Sequence, residues 1–210
     1  RGTLDLDTDL DVINVSLARA GFADDVAAEP LVRLPGALDP FEVAVRAVIG
    51  QQISVKAATT IVTRLVDRLG DPIVTDVDGL GRLFPSAARI AEATAGAIAA
   101  LGMPAARAAT VVRLAAAVAS GELTLARGAI AAGREGLSRI PGIGPWTIEY
   151  VSLRALGDPD AFPVGDSALR AAFHGELRSA SEAWRPWRAY AAARLWRRGA
   201  RAARDAGRAA

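Results

Sequence analysis

At 210 residues the chain fits one domain or two small ones, and with 51% apolar residues it can bury a sizeable core. No apolar run reaches the ~18 residues of a membrane span, the absence of cysteine excludes disulfides, thiolate metal sites and iron–sulfur clusters, and a single histidine, His174, argues against a histidine metal site or catalytic triad. Net charge is only +2 although 25 residues are basic, with Lys56 the only lysine; arginine suits phosphate, but a GC-rich genome would give the same excess, so charge alone does not establish a nucleic-acid partner.

In chain order, Leu4 and Leu6 alternate weakly and read as the end of a strand, and a start at Arg1 suggests a fragment. No signal peptide is evident. Asp11 to Ala20 reads as a short helix closed by Gly21. Asp39-Pro40 is a helix start, with aspartate as cap and proline in the first position, followed by a stripe of Phe41, Val45, Val48 and Ile49. Gly50-Gln51-Gln52-Ile53 interrupts that pattern, and Ser54 caps a second helix that Gly70 ends. Asp71 to Leu83 is a loop. Ser86 to Ala91, Thr94 to Leu101 and Pro104 to Ala119 are three further helices, and Ile130 to Ile140 another. After Asp166 a helix is expected through Leu177, then a loop at Ser179-Ala180-Ser181, then a final helix over Trp184 to Trp196, most regular from Pro186. Arg197 to Ala210 is Arg/Ala-rich and expected to fray. The pattern is all-α.

The informative stretch is Ile140 to Asp166. Pro141-Gly142-Ile143-Gly144 is a glycine turn between two helical patterns, and Pro145 opens the second. Bare N–H groups at a helix start make an anion site. Asp166 follows Trp146 by 20 residues, just past Phe162-Pro163-Val164-Gly165.

The turn resembles a helix-hairpin-helix, the element that grips a DNA backbone phosphate without reading sequence. Hairpin, loop and aspartate together resemble the helix-hairpin-helix DNA glycosylase superfamily. Gly-Ile-Gly-Pro-Trp-Thr, Tyr150 and Leu153-Arg154-Ala155-Leu156 are most similar to its DNA-3-methyladenine glycosylase II (AlkA-type) branch. The resemblance covers about Leu4 to Trp196. It implies a two-lobed all-α fold with the active cleft between the lobes. Residues 37–158 would form a central lobe containing the hairpin at about 134–156. Residues 1–36 would pack with a C-terminal lobe of 159–198, and 199–210 would be a tail.

The resemblance further implies a role for each matching position. Asp166 would be the catalytic carboxylate, stabilising positive charge on the sugar or orienting water; the bland alternative is a helix N-cap. Trp146, Tyr150 and Trp196 would form an aromatic pocket in which a flipped, electron-poor base stacks between rings; the alternative is core packing. Trp184, Trp187, Phe41 and Phe162 are assigned to packing, with a place in the pocket as the alternative for Phe162. Gly142, Ile143 and Gly144 would bind phosphate, and a Cβ at Gly144 is expected to clash with the turn or with the phosphate. Gln52 or Ile53 would be the wedge that fills the gap left by the flipped nucleotide; the alternative is a polar elbow. An aromatic often follows the aspartate in this branch; Ser167 stands there instead and leaves the pocket more open. Members with lyase activity carry a lysine where Trp146 stands, so a monofunctional enzyme is expected.

The implied function is excision of alkylated bases from double-stranded DNA in base excision repair. It would be performed by an intracellular, cytoplasmic, nucleoid-associated monomer with no membrane contact. No cofactor is expected, nor a metal held by side chains, although related hairpins hold a monovalent or divalent cation on main-chain carbonyls. The alternatives are a non-catalytic helix-hairpin-helix DNA-binding module or inactive paralogue, and a helical interaction domain without a DNA role.

Overall fold

A computed structural model describes residues 1–209. It contains twelve α-helices: α1 (Leu10–Leu17), α2 (Ala23–Ala28), α3 (Pro40–Ile49), α4 (Val55–Leu69), α5 (Ala87–Ala91), α6 (Ala95–Ala99), α7 (Ala105–Ala119), α8 (Ile130–Ser138), α9 (Pro145–Val151), α10 (Ser167–Ala172), α11 (Leu177–Glu182) and α12 (Arg188–Ala209). Among the described residues there is no strand, only an isolated antiparallel bridge between Pro72 and Arg82 inside the 71–83 loop. No described helix is long and apolar enough to cross a membrane.

Local chemistry starts most of these helices. Asp39 accepts from the Phe41 N–H with Pro40 in the first turn, Ser54 from Ala57, Ser86 from Arg89 and Thr94 from Ala97. Each cap satisfies an amide that has no intrahelical partner.

Two hydrophobic cores result. The central core draws on α3 to α9, with Val45, Val48, Leu65, Ile90, Leu114, Leu137 and Val151 fully buried. Helix α7 runs through it, packed on α3, α5 and α6. The second core joins the two ends of the chain: Leu10, Ile13, Leu17 and Phe22 pack on Phe162, Leu169, Trp184, Tyr190 and Leu195. The turn that continues α9 (Ser152–Leu156) is the seam, because Ala155 enters the central core and Leu153 the second.

Several expectations are corrected. Leu4 ends a 3-10 turn (Gly2–Leu4), not a strand. The first helix does close at Gly21, as expected: Ala20 and Gly21 (φ 99°) leave helical geometry there, and α2 follows as a separate helix. The helix after Asp166 stops at Ala172, because Phe173 is extended (φ −126°, ψ 126°). The stretch Ser179-Ala180-Ser181 lies inside α11, which Glu176 caps through the N–H groups of Arg178 and Ser179. The final helix starts at Arg188, and its helical geometry continues past Arg197 to Ala209. It is held there by ion pairs of Arg197 with Glu29, Arg198 with Asp25 and Arg201 with both. The end of the expected tail, Ala210, lies outside the described residues.

Candidate active site

A cleft of about 690 Å³ opens between the lobes. The elbow between α3 and α4 forms one wall, with Gln51, Gln52 and Ile53; the hairpin gives Gly142, Gly144 and Trp146; the start of α10 gives Asp166, Ser167 and Arg170. Residues more than a hundred positions apart in sequence thus face one space.

Asp166 caps α10, its Oδ1 accepting from the Ala168 and Leu169 N–H groups at 3.0 Å each. Two indoles add to this. The Trp196 N–H donates to Oδ1 at 3.1 Å and the Trp146 N–H to Oδ2 at 3.2 Å. Both carboxylate oxygens are therefore oriented by donors, one from each lobe. The loop that delivers Asp166 is fixed from behind. Glu149 of α9 accepts from the Phe162 N–H at 2.9 Å and pairs with Arg134 of α8, which also reaches Asp158 at 3.2 Å.

The three rings form a continuous wall rather than open slots. Trp146 and Tyr150 stack at 5.2 Å between centroids and 18° between planes. Seating a base between two rings needs a plane separation of about 7 Å, two van der Waals contacts. Only the outer face of Trp146 is turned to the cleft it lines, while Tyr150 and Trp196 stand behind it and meet edge to face at 6.3 Å. Phe41, Phe162 and Trp184 are buried in the cores.

The hairpin glycines differ. Gly142 has φ 96°, and a Cβ there would overlap the hydroxyl of the buried Thr110, whose hydrogen is shared between the Ala106 and Pro141 carbonyls, each at 3.1 Å. Gly144 has φ −97°, and a Cβ there meets nothing within 4 Å. The expected clash of a Cβ at Gly144 with the turn is thus corrected: the turn requires glycine at 142, while Gly144 borders open cleft. Ile143 is buried and anchors the hairpin in the central core.

In the elbow, Gln52 is exposed with φ 57°, while Ile53 is half-buried and packs on the central core. Gln51 reaches across: its Nε2 donates to the Gly142 carbonyl at 3.2 Å and to the Thr147 hydroxyl at 2.9 Å. The carbonyls of Pro141 and Gly142 thus each accept a side-chain hydrogen bond. Among the described residues no cluster of His, Asp or Glu could hold a metal.

Sequence reading missed the props. The Thr110 and Gln51 contacts carry no local signal. Arg170 had one, standing one helical turn after Asp166 at the spacing that shares a face.

The sequence profile of the HhH-GPD superfamily of base excision DNA repair proteins matches residues 45–196. The chain is 40% identical over 206 residues to the "Probable bifunctional transcriptional activator/DNA repair enzyme AlkA" of Mycobacterium tuberculosis, over 93% of this chain and 41% of that one. It is 35% identical to the DNA-3-methyladenine glycosylase 2 of Escherichia coli K12, over 91% of this chain and 67% of that one. The chain thus spans about two fifths of the first relative and two thirds of the second. The fold is similar to that of the 8-oxoguanine glycosylase/lyase of Clostridium acetobutylicum, solved with double-stranded DNA, at a TM-score of 0.78 and 18% identity over 96% of this chain and 73% of that one.

Proposed function

This chain belongs to the HhH-GPD superfamily of base excision DNA repair proteins, and from that premise we propose that it is a monofunctional DNA glycosylase. Its reaction is hydrolysis of the N-glycosidic bond of alkylated bases of the 3-methyladenine type, flipped out of double-stranded DNA. The observation that carries this reading is Asp166, whose two oxygens are oriented by indole N–H groups in a cleft shared with the Gly142–Gly144 hairpin and the Gln52 elbow.

In this reading the hairpin binds a backbone phosphate through main-chain N–H groups, which positions the duplex without reading bases. Gln52, exposed at the tip of the elbow, enters the space the nucleotide leaves; Ile53 supports it from the core side. The flipped base stacks on Trp146, backed by Tyr150 and Trp196, and a cationic alkylated base gains a cation–π attraction there. As the C1′–N bond breaks, its electron pair leaves with the base and positive charge builds on the sugar. The Asp166 carboxylate stabilises that charge, orients the water whose oxygen bonds to C1′ and takes the proton that water gives up. Because alkylation makes the base a good leaving group, no general acid is required. Ser167, small and exposed, leaves the cleft open beside the carboxylate and admits a range of bases.

Trp146 stands two places after Gly144, where a lyase would need an amine, and the only lysine, Lys56, is exposed on α4. The enzyme therefore leaves abasic sites intact. Base release from methylated duplex DNA tests the activity, and borohydride trapping tests the mechanism. No release by the wild-type protein overturns the glycosylase reading. A trapped adduct that disappears in Lys56→Ala overturns the monofunctional one.

A further inference from the structure

We infer that Gln51 is a positioning residue that ties the Gln52 elbow to the phosphate-gripping hairpin, so that backbone grip and nucleotide displacement share one fixed geometry. The inference rests on the glycosylase reading of the cleft.

Both donors of the Gln51 amide are used. They go to the Gly142 carbonyl at 3.2 Å and the Thr147 hydroxyl at 2.9 Å, acceptors 91 and 96 residues away. Thr147 is 2% exposed and belongs to α9, so this end of the tie is set in the central core. Thr110 already holds the hairpin from the core side through Pro141. Gln51 holds it from the cleft side and is its link to the elbow.

The elbow has reason to need that link. Gln52 adopts φ 57°, a left-handed conformation that residues with a Cβ rarely take and that persists only when neighbours enforce it. Among the described residues the Gln52 side chain has no hydrogen-bond partner; it is aimed by its backbone alone. Gln51, the adjacent residue, is where the backbone is clamped. Without that clamp the elbow is free to relax toward ordinary φ, and Gln52 turns away from the cleft while the hairpin keeps its shape through Thr110. Phosphate binding and nucleotide displacement then come apart.

The test compares wild type with Gln51→Met, which keeps volume and neutrality but removes both donors, and with Thr147→Val, which removes one acceptor. Three quantities are measured. They are affinity for a duplex with an abasic-site analogue, fluorescence of a 2-aminopurine beside the target as a report of unstacking, and single-turnover base release from an alkylated base in duplex and in single-stranded DNA. For Gln51→Met we expect unstacking and release from duplex to fall about 10- to 30-fold, as loss of two hydrogen bonds implies. Release from single strands, where nothing must be displaced, and abasic-duplex affinity should stay within about 3-fold. Thr147→Val should show the same pattern at roughly 3-fold. Equal losses on duplex and single strand, or unchanged duplex release, overturn the inference, since a packing or chemical role does not depend on pairing. If the wild type unstacks DNA without releasing base, the glycosylase reading fails and unstacking alone decides: a signal retained by Gln51→Met overturns the tie. A wild type that neither unstacks nor releases overturns both.

Discussion

The two lobes are held together by different chemistry. The central core is continuous in sequence, from Phe41 to Ala155, and mostly aliphatic. The second core closes Leu10–Phe22 onto Leu153–Leu195, so it carries the entropy of a long loop, a cost that grows as the logarithm of loop length. It compensates with directional contacts. Phe22, Phe162 and Phe173 meet Trp184 edge-on at 5.1, 5.5 and 5.4 Å. Buried Arg194 of α12 donates to the Asp25 and Glu29 carbonyls at 3.2 and 3.0 Å and to Asn14 Oδ1 at 2.6 Å. Tyr190 donates to buried Asp5 at 2.8 Å. Nonpolar packing suffices where the chain is contiguous; where distant ends must meet, polar latches specify the register. The cleft inherits this division, because the hairpin and elbow belong to the first lobe and Asp166 and Trp196 to the second.

The largest expected effect separates the lobes by function. Asp166→Asn should lower base release about 10²- to 10⁴-fold while binding to an abasic-analogue duplex, which the proposed function assigns to the hairpin and elbow, stays near wild type. Single-turnover release within tenfold of wild type would remove Asp166 from the chemistry. The next effect concerns the latch. Arg194→Ala leaves the Asp25 and Glu29 carbonyls and Asn14 without their donor in a buried site, and should cost roughly 2 to 4 kcal/mol. Thermal unfolding followed by calorimetry should show a lower Tm; a loss below about 1 kcal/mol would mean that the terminal lobe does not depend on this residue.

How much of this was legible follows from locality. Helix starts at Asp39-Pro40 and Ser54 were readable because cap and amide lie within three residues. The hairpin and Asp166 were readable because the motif and its spacing are local. The persistence of α12 past Arg197 was not, because the carboxylates that hold it, Asp25 and Glu29, are about 170 positions away. Gly142 and Gly144 look alike in sequence; the positive φ of Gly142 and the approach of Thr110 from α7 distinguish them.

That distinction gives a third prediction, within the central lobe. Gly142→Ala forces a Cβ residue into φ 96° and into the Thr110 hydroxyl, and should destabilise by about 2 to 4 kcal/mol. Gly144→Val has room, so the protein should fold with wild-type circular dichroism yet bind every duplex about 10-fold more weakly, because the added side chain occupies the phosphate's approach. A folded Gly144→Val protein of unchanged affinity would make the hairpin a packing turn and move DNA contact to cleft-lining Arg170.

The smallest effect sharpens the comparison by pH. Burial pushes the Tyr190 phenol up from the ordinary 10.0 to about 12; Thr8 pulls it down and the carboxylate of Asp5 pushes it further up. A raised pKa means that the folded state favours the protonated phenol. The associated stability is fully present below pH 10.0 and is lost as pH rises toward about 12. Tyr190→Phe removes the hydroxyl and its bonds to Asp5 and Thr8, so it should be less stable than wild type at pH 8, by about 1 kcal/mol. It also removes the titration. Between pH 10 and 12 the wild type should therefore lose stability faster than the variant, and the gap between their urea midpoints should close. Parallel curves over that range would show that Tyr190 does not titrate with folding, and that the stability of its contact with Asp5 and Thr8 is independent of the phenol's charge.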